Sequence, residues 1–336
     1  MSAKKIVLGQ FFTKDSIWLR SHIKDFIEQT KCNVAYDPFA GEGHLLNAVQ
    51  SFENFEAFVG LDIDDKLKWE HNDSLINIPK IDNAIAITNP PYISKYSASR
   101  KGVGQNLKKY FENSVYDDVY LIALDKLLQA QNNVVAIIPE TFINSNYQQK
   151  NKLVSITILE ENPFEDTENP VIVACFDGKK KDYSEIKVYK NDTYVNTLEN
   201  LEKMRLIPNN SVKMKFNDKQ GWLAVRCVDT TNPNDMLKFD FKENIDYDWE
   251  KGIKVSSRLL TLINIDIPKE RQKKFINCCN EILQDTREKT DDIIFSPFKG
   301  NMKNGRRRRR LDFLTCRAIV EKSYYEIIQN DQLRLF

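Results

Sequence analysis

The chain has no uninterrupted apolar run long enough to cross a bilayer, although 41% of its 336 residues are hydrophobic. Its basic start, Met1 to Lys5, is not followed by the apolar stretch of a signal peptide. These two absences argue against a membrane-spanning or secreted protein. We therefore expect a soluble protein of the cytoplasm that has no membrane partner.

Patterns that bind metal ions are also missing. The chain has three histidines, and its six cysteines show no paired spacing suited to a metal site. The adjacent pair Cys278 and Cys279 does not suit a chelate. We expect no metal site and interpret the cysteines as reduced, buried thiols. They are Cys32, Cys175, Cys227, Cys278, Cys279 and Cys316.

Glycine is scarce, with 11 residues in the whole chain, and no phosphate-binding loop is complete. The segment from Asp37 to Gly43 has glycines at 41 and 43 but lacks the third glycine of the dinucleotide fingerprint. No Gly-Lys-Ser/Thr follows it, which excludes a P-loop. Its acids, Asp37 and Glu42, disfavour a phosphate ligand but would tolerate a ligand with a cationic amino-acid end.

The chain does contain polar residues at the ends of predicted strands. Apolar segments lead into Asp37, Asp62 and Thr88, which indicates buried strands. Asp62 follows Asp37 by 25 residues, close to the spacing at which a doubly wound fold binds ribose hydroxyls. The third strand stops at Asn89-Pro90-Pro91-Tyr92, because two prolines cannot continue a ladder. Ligands of open α/β sheets bind at this carboxyl edge.

This order of features resembles the S-adenosylmethionine-dependent adenine-N6 DNA methyltransferases over about residues 8–180. The motif order is similar to that of the gamma class, typified by stand-alone (type II) methyltransferases of restriction–modification systems. Gly9–Thr13 looks like the family's first cofactor segment, Asp62 like its ribose acid, and Asp73 like the acid that reads the cofactor's adenine. Asn89–Tyr92 looks like its catalytic motif. One departure is Gln129–Asn133, where relatives often have a glycine-rich turn.

The resemblance implies S-adenosylmethionine as the cofactor and a base-flipping adenine methyltransferase as the activity. It implies a catalytic set of Asn89, Pro90, Pro91, Tyr92 and Phe164, in which Phe164 stacks on the flipped base. The alternative for Phe164 is a side chain that only fills the core. The implied cofactor-binding residues are Phe12, Thr13, Asp37, Phe39, Ala40, Gly41, Gly43, Asp62, Ile63, Asp73 and Asn89.

The carboxyl-terminal part is basic. Residues 271–336 contain 15 Lys and Arg against 9 Asp and Glu, although the whole chain has a net charge of +1. A basic end predicts a polyanionic partner, and apolar residues at helical spacing after the arginine run place that run inside a folded domain. The candidate DNA contacts are Lys299, Lys303, Arg306, Arg307, Arg308, Arg309 and Arg310.

We therefore expect an α/β fold with a doubly wound, mostly parallel Rossmann-like sheet and a second, mixed α/β domain. Residues 1–184 are predicted to bind the cofactor and catalyse, and residues 185–336 to recognise double-stranded DNA. A separately encoded restriction endonuclease is a further expected partner. Local patterns predict helices over about 15–29, capped by Thr13 or Asp15, and over 269–284.

Two other functions stay open. Asn-Pro-Pro-Tyr also occurs in methyltransferases that act on a glutamine of translation release factors or on ribosomal RNA. Those enzymes would not need a basic carboxyl-terminal domain of about 150 residues. The other alternative is a DNA-binding protein with an inactive methyltransferase core, which the intact Asn89–Tyr92 motif, Asp37 and Asp62 argue against.

Overall fold

The computed structural model describes residues 16–112, 114–164, 167–249, 253 and 259–329. The predicted cofactor residues Phe12 and Thr13 lie outside these ranges. The chain divides into two compact units, Met1–Glu199 and Asn200–Phe336. Within the described residues, no helix combines the length and the apolar character needed to cross a membrane.

The first unit is built on a nine-stranded sheet with the order β3-β2-β1-β4-β5-β7-β6-β8-β9. Strands β1 to β5 are parallel to one another, and β6 is parallel to β8. β7 is antiparallel to β5 and β6, and β9 is antiparallel to β8. The predicted doubly wound, mostly parallel sheet is thereby confirmed. The strands are β1 (Val34–Asp37), β2 (Ala57–Asp62), β3 (Glu70–His71), β4 (Ala84–Thr88), β5 (Asn133–Pro139), β6 (Leu153–Ile158), β7 (Val171–Phe176), β8 (Lys187–Lys190) and β9 (Thr193–Thr197).

Strands β4 and β7 are buried at every residue, as their uninterrupted apolar sequences require. Helices flank the sheet, and the 12-residue α5 is buried at most of its positions. These helices are α1 (Ser21–Gln29), α2 (His44–Ala48), α3 (Lys95–Arg100), α4 (Gly104–Phe111) and α5 (Val119–Ala130). Helix α6 (Leu198–Lys203) spans the boundary between the two units. Short 3-10 turns cover Glu140–Asn144 and Lys150–Lys152.

The predicted start of the first helix at about residue 15 was wrong. Residues 16–20 are not helical, and α1 begins at Ser21, because Arg20 has an extended backbone with φ −73° and ψ 160°. The backbone N–H of Ser21 donates to Asp192 Oδ1 at 3.1 Å, so a carboxylate far along the chain stabilises the start of the helix.

The first unit extends past the predicted domain boundary at residue 184. Strands β8 and β9 follow that boundary and pair with β6 and with each other, so they belong to the large sheet. The polar composition of this segment fits the edge of a sheet, where one strand has a solvent-facing side.

The second unit is a mixed α/β structure with a four-stranded sheet of order β10-β13-β11-β12 and a separate hairpin, β14–β15. Its longest helix, α7, was predicted over 269–284 and extends to Lys289. Phe275, Ile276, Ile282 and Leu283 face the interior as predicted. The elements are β10 (Met214–Phe216), β11 (Leu223–Arg226), β12 (Lys238–Phe241), β13 (Leu260–Ile265), α7 (Lys269–Lys289), β14 (Ser296–Asn301), β15 (Arg307–Arg310), α8 (Phe313–Tyr324), a 3-10 turn (Lys242–Asn244) and a π turn (Tyr325–Gln329).

The six cysteines are free and buried, which confirms their interpretation as buried thiols. Burial raises the pKa of Cys175 and of Cys227 to about 12. These thiols therefore stay protonated at neutral pH and behave as small apolar side chains.

Candidate active site

The site lies where the strand order of the large sheet reverses. Strands β1, β2 and β3 succeed one another in one direction, and β4 and β5 succeed one another in the other. β1 and β4 are therefore parallel neighbours whose following loops leave the same edge of the sheet in opposite directions. Open α/β sheets bind ligands at such a reversal, outside the carboxyl ends of the strands.

Asp37 ends β1 and is almost fully buried. Its Oδ1 accepts hydrogen bonds from the Thr88 hydroxyl at 2.6 Å and from the Phe39 N–H at 3.0 Å. Burial raises the pKa of Asp37 to about 7, with these two hydrogen bonds opposing the shift and the charge of Asp62 adding to it. Asp37 thus ties the end of β1 to the end of β4, directly before Asn89.

Asp62 ends β2 and holds the glycine-containing loop. Its Oδ2 accepts from the Gly41 N–H at 2.8 Å, and its Oδ1 accepts from the Asp64 N–H at 2.9 Å. Gly41 and Gly43 have φ angles of +53° and +85°, which explains the need for glycine at both positions. Since each carboxylate oxygen has two lone pairs, Asp62 keeps acceptor capacity for a ligand.

Trp69 packs against this loop, and the sequence analysis missed it. A Cβ atom at Gly43 would lie 2.7 Å from the Trp69 ring, and one at Gly60 would lie 2.5 Å from it. The indole N–H of Trp69 donates to the Gly41 carbonyl at 2.8 Å. The Trp69 ring therefore fills space that is open because Gly43 and Gly60 have no side chain. No local pattern predicts this contact, because Trp69 is distant in sequence from Gly41 and Gly43.

A cavity of about 260 Å³ opens beside the loop. Four of the predicted cofactor-binding residues line it: Phe39, Asp62, Ile63 and Asp73. Asp37, Ala40, Gly41, Gly43 and Asn89 do not line it and belong to the loops and strand ends behind or beside it. The other lining residues are Pro38, Asn72, Ser74, Leu75, Pro91, Ile93, Val103, Asn106, Leu107, Lys109, Tyr110 and Val119.

Helix α4 forms one wall of the cavity and was not assigned to the site from sequence. Asp73 Oδ2 accepts from both Lys109 Nζ and the Tyr110 hydroxyl, each at 2.8 Å. These bonds fix the orientation of a half-buried carboxylate at the cavity surface. Burial, followed by the bond to Asp73, raises the pKa of Tyr110. Tyr110 is therefore a neutral donor at physiological pH.

The Asn89–Tyr92 turn follows β4 directly. Pro90 and Pro91 are buried, and Asn89 and Tyr92 are half-buried. The Tyr92 hydroxyl lies within hydrogen-bond distance of two acceptors, Asn89 Oδ1 and the Ile137 carbonyl, the latter at 2.7 Å. Burial raises the pKa of Tyr92 well above its usual value, so the hydroxyl keeps its proton. One proton serves one of these two acceptors at a time.

Phe164, which the sequence analysis assigned to the catalytic set, lies beside Tyr92. The two ring centroids are 6.2 Å apart, and the ring planes meet at 68°. Phe164 is 6% exposed and packs in the core cluster that Tyr92 also contacts. The two rings therefore meet edge to face and are not stacked in parallel.

The predicted DNA contacts of the second unit differ in exposure. Lys299, Lys303 and Arg306 are exposed, whereas Arg309 is 1% exposed. The prediction that Arg309 contacts DNA is wrong, because its guanidinium donates to the Phe295 carbonyl inside the unit. Arg307, Arg308 and Arg310 are half-buried.

The fold and site define an α/β protein with a ligand cavity at the carboxyl edge of a doubly wound sheet. No family model matches the chain, and no curated protein matches it. A protein of Listeria monocytogenes named as a class I S-adenosylmethionine-dependent methyltransferase aligns with 55% of this chain and 67% of its own at 17% identity, with a TM-score of 0.37.

Two further solved structures are subunits of restriction systems. The methyltransferase subunit of a type I restriction-modification system of Streptococcus thermophilus aligns with 57% of this chain and 52% of its own, at 18% identity and a TM-score of 0.37. The M protein of the type I restriction enzyme EcoKI aligns with 78% of this chain and 68% of its own, at 13% identity and a TM-score of 0.33. The chain thus spans about half the length of the Streptococcus subunit. Similarities this distant carry no conclusion about what this chain binds or transfers.

Proposed function

We propose that this chain is a methyltransferase that moves a methyl group from S-adenosylmethionine to the N6 amine of an adenine in double-stranded DNA. The observation that carries the proposal is the position of the Asn89–Tyr92 turn. It follows β4 at the strand reversal, beside a cavity lined by Asp62 and Asp73. An amide, a backbone carbonyl and an aromatic ring are thus presented next to a pocket with two acids.

The residues of the cavity fit S-adenosylmethionine by their chemistry. Asp62 would accept from the ribose hydroxyls, and Asp73 from the exocyclic amine of the adenine. Phe39, Ile63 and Leu107 supply apolar surface for the adenine ring. Two carboxylates disfavour a phosphate ligand and tolerate a cationic one. The cofactor supplies an electrophilic methyl group on a sulfonium.

Asn89 and Pro90 would activate the target amine, whose lone pair is otherwise delocalised into the adenine ring. The Asn89 side-chain oxygen and the Pro90 carbonyl can each accept one of the two amine hydrogens. A carbonyl oxygen has two lone pairs, so Asn89 Oδ1 can accept from Tyr92 and from the amine together. The amine lone pair would then be directed at the methyl group that the cofactor would supply, and the amine proton would leave to water. Position and electrostatics supply the catalysis.

The target adenine has to leave the helix before it can reach Asn89, because its amine is inaccessible in a stacked duplex. Tyr92, within the turn, and Phe164, whose ring contacts Tyr92, are the aromatic side chains that would stack on the flipped base. Such stacking contributes roughly 1–3 kcal/mol per base. Since the rings lie edge to face before binding, the proposal includes a rotation of Tyr92 or Phe164 when the base enters.

The carboxyl-terminal unit, with its basic hairpin, is proposed to recognise the DNA. We further propose that the chain acts within a restriction–modification system, together with a separately encoded endonuclease. We also propose that the chain is located in the cytoplasm, where such DNA lies.

A label-transfer assay tests the proposal. The purified chain is incubated with methyl-labelled S-adenosylmethionine and unmethylated bacterial DNA, and the DNA is digested to nucleosides. Label in N6-methyladenine supports the proposal. Cofactor binding without labelled DNA contradicts the DNA substrate and directs the assay to RNA and to protein glutamine. Binding of both DNA and cofactor without transfer to any acceptor supports the inactive alternative.

A further inference from the structure

The five consecutive arginines of the second unit differ in exposure: Arg306 is exposed, Arg309 is buried, and the other three are half-buried. β14 and β15 pair antiparallel, with Pro297 opposite Arg309 and Asn301 opposite Arg307. Side chains of a strand alternate between its two faces, so neighbouring arginines cannot all face the same surroundings. The sequence shows one basic run, whereas the strand turns Arg309 into the interior.

The inner group is a buried lock, which we define as Asp229, Arg287, Asp292 and Arg309. Arg287 binds Asp229 with both Nη atoms at 3.0 Å and Asp292 with Nε at 2.6 Å. The backbone N–H of Arg309 donates to Asp229 Oδ2 at 2.9 Å. Arg287 is thus paired with two buried carboxylates, and the buried guanidinium of Arg309 donates to the Phe295 carbonyl at 3.3 Å. Since these groups are engaged inside the unit, they contribute little attraction to an external polyanion.

The outer group is a basic edge, which we define as Lys299, Lys303 and Arg306. All three side chains are exposed. Arg306 Nη2 donates to Asp292 Oδ2 at 2.9 Å, so its guanidinium is held against the buried lock while half of its surface stays open. Asp292 pairs with the Arg306 end of this edge, whereas the hairpin from Ser296 to Arg310 contains no Asp or Glu beside Lys299 and Lys303.

Burial and hydrogen bonds hold the tip of the β14–β15 hairpin. Met302 is buried, and its N–H donates to the Arg306 carbonyl at 2.8 Å. The Lys303 N–H donates to the Thr231 carbonyl at 2.8 Å. Gly305 closes the turn with a φ of +85°. A fixed backbone lowers the entropy cost of placing cations against a regular ligand.

We propose that the basic edge contacts the phosphates of duplex DNA, while the buried lock only supports the hairpin. This inference rests on the proposed function, because it names the surface by which the methyltransferase would hold its substrate. A two-stranded ribbon matches the width of the DNA major groove, whereas the major groove of A-form RNA is too narrow for it. The inference therefore commits to DNA.

The salt dependence of binding tests the assignment. Affinity of the full chain for a labelled duplex is measured by fluorescence anisotropy over a series of potassium chloride concentrations. Each phosphate contact contributes about 0.9 to the slope of log K against log salt. We expect Lys299→Ala and Lys303→Ala each to reduce the slope by about 0.9, and the double variant by about 1.8.

Lys273→Ala is the matched control. Lys273 is an exposed lysine on α7, 14 residues before Arg287 and therefore about 20 Å along the helix from the lock. We expect this variant to keep the parental slope. Thermal unfolding of each variant shows whether the fold is intact.

Hairpin variants that keep the parental slope overturn the inference, and so does tighter binding to duplex RNA than to DNA. A parent chain that binds no duplex also overturns it. The label-transfer assay separates these failures from failure of the proposed function. A chain that methylates adenine, but whose binding ignores Lys299 and Lys303, overturns the phosphate assignment alone.

Discussion

The two units of this protein differ in how far the sequence predicts where a side chain lies. In the first unit, residues at the ends of three predicted strands meet at one edge of a sheet. In the second unit, five residues of identical type and adjacent position have surroundings that range from exposed to fully buried. Strand ends are positioned by topology, whereas the exposure of a strand residue depends on what packs against each face.

This difference shows which sequence patterns predict the position of a side chain in the fold. A polar residue at the carboxyl end of a buried parallel strand has few possible locations, so the sequence alone predicts that Asp62 and Asn89 lie at this edge of the sheet. A run of like charges has no such constraint, because tertiary contacts decide which of its members are buried. Arg309 is such a member: its guanidinium is buried and donates to the Phe295 carbonyl, while its backbone N–H donates to Asp229, far along the chain.

Asn89→Ala gives the largest expected effect and tests the topological side of the comparison. It removes one acceptor for the target amine, so we expect methyl transfer to fall by about a hundredfold to a thousandfold. Cofactor affinity should stay within a few-fold, because Asn89 does not line the cavity. Single-turnover label transfer and calorimetry measure the two quantities. Near-native turnover would contradict the role of Asn89.

Arg287→Met tests the buried side of the comparison. It leaves Asp229 and Asp292 buried without their shared cation, and we expect a loss of about 3–5 kcal/mol in the free energy of unfolding. Chemical denaturation measures it. Lys303→Ala, which removes an exposed cation from the same unit, should change stability by less than about 0.5 kcal/mol. Equal losses in the free energy of unfolding for the two variants would contradict the distinction between the buried lock and the basic edge.

Asp37→Asn tests whether the buried carboxylate at the end of β1 has a raised pKa. The pKa of Asp37 is raised from 3.8 to about 7, so the folded state binds a proton more tightly than the unfolded chain. The stability that this proton supplies is complete below pH 4 and is lost as the pH rises through 7. Asparagine can still accept from Thr88 and Phe39 but does not ionise. We expect the stability of the variant relative to the parent to rise between pH 4 and 7, and a constant difference would contradict the assignment.

Tyr110→Phe has the smallest expected effect. It removes one of two donors that orient Asp73, at a cost of about 0.5–1.5 kcal/mol, and should weaken S-adenosylmethionine binding by about twofold to tenfold. Tyr96→Phe is the control, since Tyr96 is exposed on α3 and lies outside the cavity lining. Equal affinities of both variants would show that the orientation of Asp73 does not depend on Tyr110.

The sequence predicted the sheet and part of its site because both depend on short-range patterns. The buried strand before Asn89 and the acid at Asp62 are visible as apolar runs with polar ends. Trp69 and Tyr110 were missed because their roles depend on tertiary contacts with Gly41 and Asp73. The first helix was predicted too early because Arg20 has an extended backbone, and the N–H of Ser21, where α1 begins, donates to Asp192 far along the chain.

The central claim is that the cavity at the carboxyl edge holds S-adenosylmethionine. Titration calorimetry of the parent, Ile63→Ala and Ile76→Ala tests it most directly. Both isoleucines are about half exposed, but only Ile63 lines the cavity. We predict saturable binding to the parent, about tenfold weaker binding to Ile63→Ala, and parental affinity for Ile76→Ala. Absence of binding to the parent, or equal affinities for all three proteins, would contradict the account.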